Sequence, residues 1–516
     1  MAVSSNDKSR LVARAGIRAG VDDNARMAKD GWAGWVDVQL AMPPLDDGGV
    51  AAAIASATLK IEYEAGDGYT ALKEDRPLTA LHKPVKDMWH LADWEKKIGW
   101  EERVRPANEL LAATLIRATL SEAQLREAVV DFWRDHFSVN RDAIEDVAIA
   151  LPAYDQNVLR VHALGNFRDM LEAVASSTAM LAYLNNASSK ASPANENFAR
   201  ELFELHGLGA DAYLHALYDK WREVPGAVEG KAEGFIDEDV YEAARAFTGW
   251  TYGGGQYVSE GFELPKTGEF LYTEPWHDPY QKRVLGLEIP SHLGAMADGR
   301  KVLDLVGFHP ATAHHVCKRL CQRFVADQPP EHLVKSTAQV FMENQRARDQ
   351  LSKVIAHILL SPDFAAAPPR LQRPLFLLAS MQRDSGIVLK STQDDIWQLE
   401  GMGQRLYGWP TPAGHPLASG YWQSPGHLVR RWRGMADIWT RMMAQSPERE
   451  WTNIETFTSD WTGQMGLDDN NRQRIAGLLV KEYGTDPRPM RFAETERWFN
   501  AQALATLTAS PDYQAV

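Results

Sequence analysis

Apolar residues recur at helical spacing over most of the chain. Positions 109–120 and 121–137 place them three and four residues apart, which is typical of amphipathic helices. Shorter helices are predicted nearer the amino terminus, at 11–19, 22–30, 32–40 and 50–61. Residues 251–290 are the one region with β character. The pattern therefore predicts a mainly α, large multi-helical globular fold with a small insertion that contains a β-hairpin.

Two breaks in this pattern divide the chain into three sections. A polar connection at 63–83 ends an N-terminal helical segment, residues 1–84. The second section, residues 85–367, is a helical core that carries the insertion at 251–290. Pro368-Pro369 ends this core, and a C-terminal helical section follows at 368–516.

The stretch 195–207 concentrates most of the candidate chemistry. Ser192-Pro193 predicts a helix start and Gly207 a helix end. At about 100° per residue the helix has two faces. The apolar arc contains Phe198, Ala199, Leu202, Phe203, Leu205 and His206, and the polar arc contains Glu196, Asn197, Arg200, Glu201 and Glu204.

Two interpretations of the polar arc stay open. It is either a solvated helix face with Glu196–Arg200 and Arg200–Glu204 pairs, or a cleft-facing carboxylate cluster whose pKa values are pushed apart. His206 on the apolar side is a core histidine or, beside a cleft, a proton carrier. His136 also lies on an apolar stripe, where it is interpreted as a buried, hydrogen-bonded histidine or as a ligand.

Composition narrows the function classes. The net charge of -14 and the pI near 5.6 argue against a nucleic-acid partner. Lys318-Arg319 with Arg323, and Arg430-Arg431, are interpreted as solvated faces. Cys317 and Cys321 are interpreted as small core residues. No membrane span is predicted. Without the apolar core of a secretory signal, the protein is expected in the cytoplasm, or to be exported if a signal has been removed.

Further substrate-binding candidates lie outside the 195–207 stretch. His277-Asp278 occupies a loop, where such a pair serves as acid/base or metal ligand, although polar pairs are also common in loops. Arg245 is a candidate partner for a carboxylate. Trp250 and Trp409 lie beside glycine or proline and offer flat faces for sugar rings, unless they only fill the core.

Several of these stretches resemble a bacterial family of unknown function, number 1800 in its series. The similar residues, from about 10 to about 440, are Arg126-Glu127, 131–139 (DFWRDHFSV), 195–202 (NENFAREL), 204–206 (ELH), 239–250 (DVYEAARAFTGW), His277-Asp278, 309–313 (HPATA) and 324–325. The excursion at 210–235 is longer than the resemblance predicts, and its expected secretion signal is absent. The resemblance implies a shared fold and export, and it supplies no reaction.

Three functions stay open at this stage. The first is a hydrolase acting on a glycan-like polymer, with catalytic residues among Glu196, Glu201, Glu204, His206 and His136 and substrate-binding residues Asn197, Arg200, Arg245, Trp250, His277, Asp278 and Trp409. The second is a non-catalytic helical scaffold in which Arg200 and Arg245 hold carboxylates in a buried network. The third is a metal-dependent enzyme with Glu and His ligands. A carbohydrate polymer is the expected partner; no cofactor and no oligomeric state are identified.

Overall fold

Helices form most of the part of the chain that the computed structural model describes, residues 5–44, 46–215, 217–390, 393–445, 449–484, 490–491 and 497–516. In chain order, the first elements are α1 (Ser5–Ala15), α2 (Val21–Ala41), α3 (Gly48–Ser56), β1 (Thr58–Tyr63), β2 (Leu72–Pro77), α4 (Val85–Met88), α5 (Trp100–Arg103) and α6 (Arg105–Leu120). The β1–β2 hairpin corrects two predictions, a helix to residue 61 and a single β region. Leu59 and Ile61 alternate with exposed residues, so the period is two.

The helices that carry the candidate residues follow. They are α7 (Gln124–His136), α8 (Glu145–Ala153) with a π-helical continuation (Tyr154–Arg160), α9 (Phe167–Ala175), α10 (Thr178–Tyr183), α11 (Asn197–Glu201) with a second π-helical turn (Leu202–His206), and α12 (Asp237–Ala246). The predicted helix start at Ser192-Pro193 is wrong. Asn195 Oδ1 instead accepts the Asn197 N–H at 3.0 Å, and the helix begins at Asn197.

The predicted insertion is present and consists of short antiparallel pairs. Its strands are β3 (Trp250–Gly254), β4 (Tyr257–Ser259), β5 (Phe262–Glu263), β6 (Lys266–Tyr272), β7 (Lys282–Val284) and β8 (Leu287–Ile289). Strand β3 pairs with β6 and aligns Trp250 with Tyr272, while β4 pairs with β5 and β7 with β8. The mainly α fold with a small β-containing insertion is confirmed.

The remaining helices pack as pairs and layers around the core. They are α13 (Ala297–Gly307), α14 (Pro310–Phe324), α15 (Glu331–Glu343), α16 (Gln350–Leu359), α17 (Pro362–Ala365), α18 (Pro374–Ser385), α19 (Gln393–Gly401), α20 (Ser419–Trp422), α21 (Pro425–Gln445), α22 (Ile454–Gln464), α23 (Asp469–Tyr483), α24 (Arg497–Thr508) and α25 (Pro511–Gln514), with strands β9 (Glu450–Trp451) and β10 (Met490–Arg491). In the described chain, no helix combines the length and apolar character that crossing a bilayer requires.

Helices α6 and α7 lie at the centre of the core. Every residue of α7 is buried, including seven polar or charged ones, so its polar face meets protein and not solvent. The buried apolar residues form one connected cluster that runs from Leu11 to Tyr513 and includes Cys317 and Cys321. The cluster draws on all three predicted sections, and the boundaries at 84 and 367 stay predictions.

Candidate functional site

A cavity lies between the second π-helical turn, helix α14 and the loop that precedes α20. We call it the α14 cleft. Its volume is about 600 Å³, within the usual range for small-molecule sites. Its lining includes Glu204, Leu205, His315, Lys318, Arg319, Asp327, Trp409 and His415. Two residues predicted from the sequence, Glu204 and Trp409, therefore meet at one site.

The π-helical turn shapes one wall of the α14 cleft. Such widened turns are rare and are frequently found at functional sites. The turn ends at Gly207, as predicted, and Gly209 follows with φ +89°. A Cβ on Gly209 would lie 2.5 Å from His315 Nδ1, so this close approach of the chain to α14 requires glycine.

Three histidines form a buried cluster behind this wall. The ring of His136 lies 6.2 Å from that of His206 and 6.0 Å from that of His315. Burial, followed by the charge of Arg319, lowers the pKa of His206 to about 3 and that of His315 to about 4. The same causes lower the pKa of His136 well below its usual value. All three are therefore neutral at pH 7, and only His315 lines the cleft.

Arg319 is the unpaired charge of the α14 cleft. Its Nε is buried without a hydrogen-bond partner, and no acceptor or carboxylate among the described residues binds its terminal nitrogens. Burial and the charge of Arg373 lower its pKa to about 10 against the opposing effect of Asp135, so the guanidinium is charged at pH 7. The interpretation of this basic group as a solvated face holds for the exposed side chain of Lys318 but only in part for the half-buried Arg319.

The acids of the cleft, in contrast, all have partners. Glu204 pairs with Arg200 at 3.2 Å, and the exposed Asp211 pairs with Lys318 at 3.2 Å. Asp327 accepts hydrogen bonds from the backbone N–H and the hydroxyl of Ser419 at 2.8 and 2.9 Å. The electrostatic balance of the lining therefore leaves a positive centre at Arg319 that favours an anion.

The predicted carboxylate cluster lies at the surface and is organised by Arg200. This guanidinium binds Glu196 at 3.3 Å, Glu204 at 3.2 Å and Asp237 at 3.2 Å, which confirms the two predicted i, i+4 pairs. The Glu196 side chain is 53% exposed, and Asn197 is exposed as well. Glu201 is half-buried, and burial together with the charge of Glu204 raises its pKa.

The other predicted residues form a separate structural group at the base of the insertion. Arg245 holds Asp278 through Nε at 2.7 Å and Nη2 at 3.1 Å. His277 lies 3.1 Å from Asp298, and the Asp298 and Thr248 contacts raise its pKa against burial. Trp250 is fully buried against Phe247 and Phe270. None of these four predicted residues lines the α14 cleft.

The predicted metal ligands are not assembled either. Across the described parts of the chain, no three His, Cys, Asp or Glu side chains come together in a way that could hold a metal ion. His136 Nε2 instead donates a hydrogen bond to the backbone carbonyl of His206 at 3.0 Å.

A buried charge network that the sequence did not reveal runs along α7. Arg160 holds Glu127 with two hydrogen bonds of 2.8 and 2.6 Å and Asp155 with one of 2.9 Å. Arg373 binds Asp131 at 3.1 Å and also binds Asp135. The charged residues of α7 all lie within or beside the stretches that resemble the family, and this was the available sign of their importance. Helical spacing alone, however, assigns this charged face to solvent.

The loop that precedes α20 and lines the α14 cleft is hydrogen-bonded to this network. His415 accepts the Arg405 N–H at Nε2 (3.1 Å), so its Nδ1–H donates to Asp135 at 2.8 Å. Tyr407 donates its hydroxyl to Asp155 at 2.5 Å. Trp409 packs against His415 with ring centres 4.8 Å apart. Hydrogen bonds therefore connect the charge network of α7 to the wall of the α14 cleft.

Fold and site together define a multi-helical protein with a charged, aromatic-walled cleft. The family model described as "Protein of unknown function (DUF1800)" matches residues 10–515, nearly the whole chain. The chain belongs to this family. No curated protein and no solved structure matches it.

Proposed function

We propose that the α14 cleft binds an acidic, ring-containing ligand, with an acidic saccharide as the class that fits best, and that the protein hydrolyses it. The observation that carries this proposal is Arg319. A guanidinium without a protein partner, on a cavity of about 600 Å³, is suited to bind a ligand carboxylate.

Trp409 supports a cyclic ligand in the same cleft. It lines the cavity together with Arg319 and is held by His415 and Tyr421, whose ring centres lie 4.8 and 5.6 Å away. An aromatic face fixed by its neighbours offers apolar contact to the face of a sugar ring at little cost in side-chain entropy. Acid recognition and ring stacking together favour a polymer of sugar acids over a neutral glycan.

The chemical step would use Glu204 on the cleft lining and Glu201, which lies three residues before it in the chain. Glu204 is paired with Arg200, whereas burial and the neighbouring charge of Glu204 raise the pKa of Glu201. Two acids in different electrostatic environments are the arrangement that glycoside hydrolysis uses, one as the proton donor and one as the ionised partner. Neutral histidines behind the wall are not part of this step.

Matched ligands test the binding part. Binding of polygalacturonate fragments and of their methyl esters would be measured by titration calorimetry with the whole chain. Arg319→Gln should weaken binding of the acid at least tenfold and leave the neutral ester unchanged. Arg300→Gln, which removes a surface arginine, is the control. Equal binding of acid and ester by the unmodified protein, or no effect of Arg319→Gln, would contradict the proposal.

A second experiment separates hydrolysis from binding. Release of reducing ends from the bound acid should fall by a factor of 10² or more, roughly the contribution of a general acid or base, in Glu204→Gln. Its affinity for the ligand should stay within a factor of about three, because Arg319 supplies the main contact. If the unmodified protein binds the acid but does not hydrolyse it, the protein is a binding protein and the proposed enzymatic activity is contradicted.

The α7 network favours a second candidate, a helical scaffold without a substrate. Arg134, Arg160 and Arg373 with their acids are all buried, so they stabilise one arrangement of the core and need no ligand. This candidate differs from the sequence-based hypothesis in its residues, since Arg200 and Arg245 are only partly buried. The scaffold function is favoured over the hydrolase if no acidic ligand binds the α14 cleft.

A further inference from the structure

A small cavity separate from the α14 cleft is enclosed by four arginines, Arg14, Arg323, Arg370 and Arg373. We call it the arginine cavity. Its volume of about 20 Å³ holds a single small species, because a water molecule needs roughly 10–15 Å³ by this measure. A sulfate, phosphate or carboxylate-bearing molecule does not fit.

Two of the four guanidinium groups, those of Arg323 and Arg373, leave nitrogens without partners. Arg323 is 7% exposed; its Nε has no hydrogen-bond partner, and no acceptor among the described residues binds its terminal nitrogens. Arg373 uses Nη1 for Asp131 and Asp135, but its Nη2 is buried and unpartnered. Both side chains line the arginine cavity. Buried donors of this kind are normally satisfied by protein, water or an ion.

The other two arginines are bound mainly by main-chain oxygens. Arg14 donates to Phe324 O at 2.7 Å and to Pro368 O and Val516 O, both at 2.8 Å. Arg370 donates to carbonyls too, and its nearest carboxylate, Asp327, is 3.8 Å away. A carbonyl satisfies a hydrogen bond but does not neutralise the charge, so Arg370 keeps its positive charge next to the cavity.

The surrounding acids do not balance these cations. Asp131 is shared between Arg373 and Arg134, and Asp135 between Arg373 and His415. Burial and then neighbouring arginines lower the pKa of Arg323 to about 9 and those of Arg14 and Arg370 to about 10, so all stay protonated at pH 7. The rings of Phe324 and Phe376, 5.2 and 5.3 Å from Arg323, offset only part of its charge.

We infer that the arginine cavity binds one chloride ion, held by Arg323 and the free nitrogen of Arg373. A buried, uncompensated charge is costly, and a monoatomic anion is the counter-charge that both fits the volume and accepts hydrogen bonds from several directions. The competing occupant is water. Gln372 Oε1, an acceptor without a partner on the same lining, favours water at one side of the cavity.

Thermal unfolding of the whole chain measures this site. Sodium chloride would be exchanged for sodium gluconate at constant ionic strength, since gluconate is too large for the cavity. Above the dissociation constant, Tm should rise by about 1 °C for each tenfold rise in chloride concentration. Arg323→Met should abolish this chloride dependence, whereas Arg300→Met, at the surface, should retain it.

Crystals of the unmodified protein grown or soaked in sodium bromide provide a measurement that does not depend on a variant's folding. Bromide replaces chloride and gives an anomalous scattering peak, which is expected between Arg323 and Arg373. Ordered water alone at that position, or a chloride dependence of Tm equal in the unmodified and Arg323→Met proteins, would overturn the inference. Neither result bears on ligand binding at Arg319.

Discussion

Removal of Arg160 tests the energetic role of the α7 network. Its side chain is 5% exposed and contacts Glu127 through both terminal nitrogens and Asp155 through Nε. Methionine keeps much of the apolar stem, so Arg160→Met removes mainly the charge and the hydrogen bonds. Asp155 retains Arg134 and Tyr407, but no other partner of Glu127 is found among the described residues.

The expected loss follows from this uncompensated acid. Breaking a buried pair on one side typically costs about 3–5 kcal/mol. With about 2.1 cal/mol/K of unfolding entropy per residue, a chain of 516 residues loses about 1 °C in Tm per kcal/mol, so Arg160→Met should lower Tm by about 3–5 °C. Arg200→Met is the matched control. Arg200 pairs with three carboxylates where Arg160 pairs with two, but those of Arg200 are partly exposed, and a loss of about 0–1 °C is expected.

Differential scanning fluorimetry of the three proteins at pH 8 and pH 5.5 is the assay, and the pH change supplies an internal check. In Arg160→Met the unpaired Glu127 is expected to have a raised pKa. Its folded state then binds a proton that the unfolded state releases, and the variant should recover stability relative to the unmodified protein as pH falls. Adding Glu127→Gln should recover part of the loss at pH 8. Equal losses in Arg160→Met and Arg200→Met would refute the reasoning.

Two further changes have defined outcomes. Burial lowers the pKa of His206 to about 3, so below pH 6.5 the unfolded state binds a proton that the folded state does not, and the unfolding free energy falls as the pH falls. In urea titrations, the decrease in unfolding free energy between pH 8 and pH 5 should therefore be smaller in His206→Gln than in the unmodified protein, by about 2 kcal/mol. Equal decreases in the two proteins would contradict this. Gly414 has φ +68°, and a Cβ there would lie 2.1 Å from the Asp135 carbonyl oxygen. Gly414→Ala should therefore lower Tm and weaken ligand binding in the α14 cleft. Gly261 also has a positive φ but open space around it, so Gly261→Ala is the control and should lower Tm only slightly.

Helical periodicity predicted the fold class because period and burial agree over long segments. It failed where two patterns compete within a few residues. Thr58–Tyr63 directly follows an alanine-rich helix, and only two buried positions, Leu59 and Ile61, mark its period of two. The π-helical turn at Leu202–His206 was also missed, since its extra residue per turn is stabilised by tertiary contacts and has no local sequence signal.

The candidate site was predicted only in part, and for a clear reason. Glu204 and Trp409 were singled out by local chemistry, but their meeting in one cleft depends on contacts between segments some 200 residues apart in the chain. Arg319 and Arg323 were assigned to solvent because charged residues usually lie there. Arg323 lies on the same side of α14 as Val316 and Leu320, and this position on the apolar arc was the signal that was available.

The continuity between the α7 network and the cleft decides which variants report on function. Asp135 and Asp155 fix His415 and Tyr407, and these residues hold the loop that carries Trp409. Loss of activity in a variant of either acid would therefore follow from a displaced wall as readily as from chemistry. Arg319 and Glu204 line the same cavity without a hydrogen bond to the network among the described residues, so their substitution changes ligand contacts and leaves the supports of the loop in place. The α7 network supports the binding site from behind, and the two roles are distinguished by measuring both Tm and ligand affinity in the same variants.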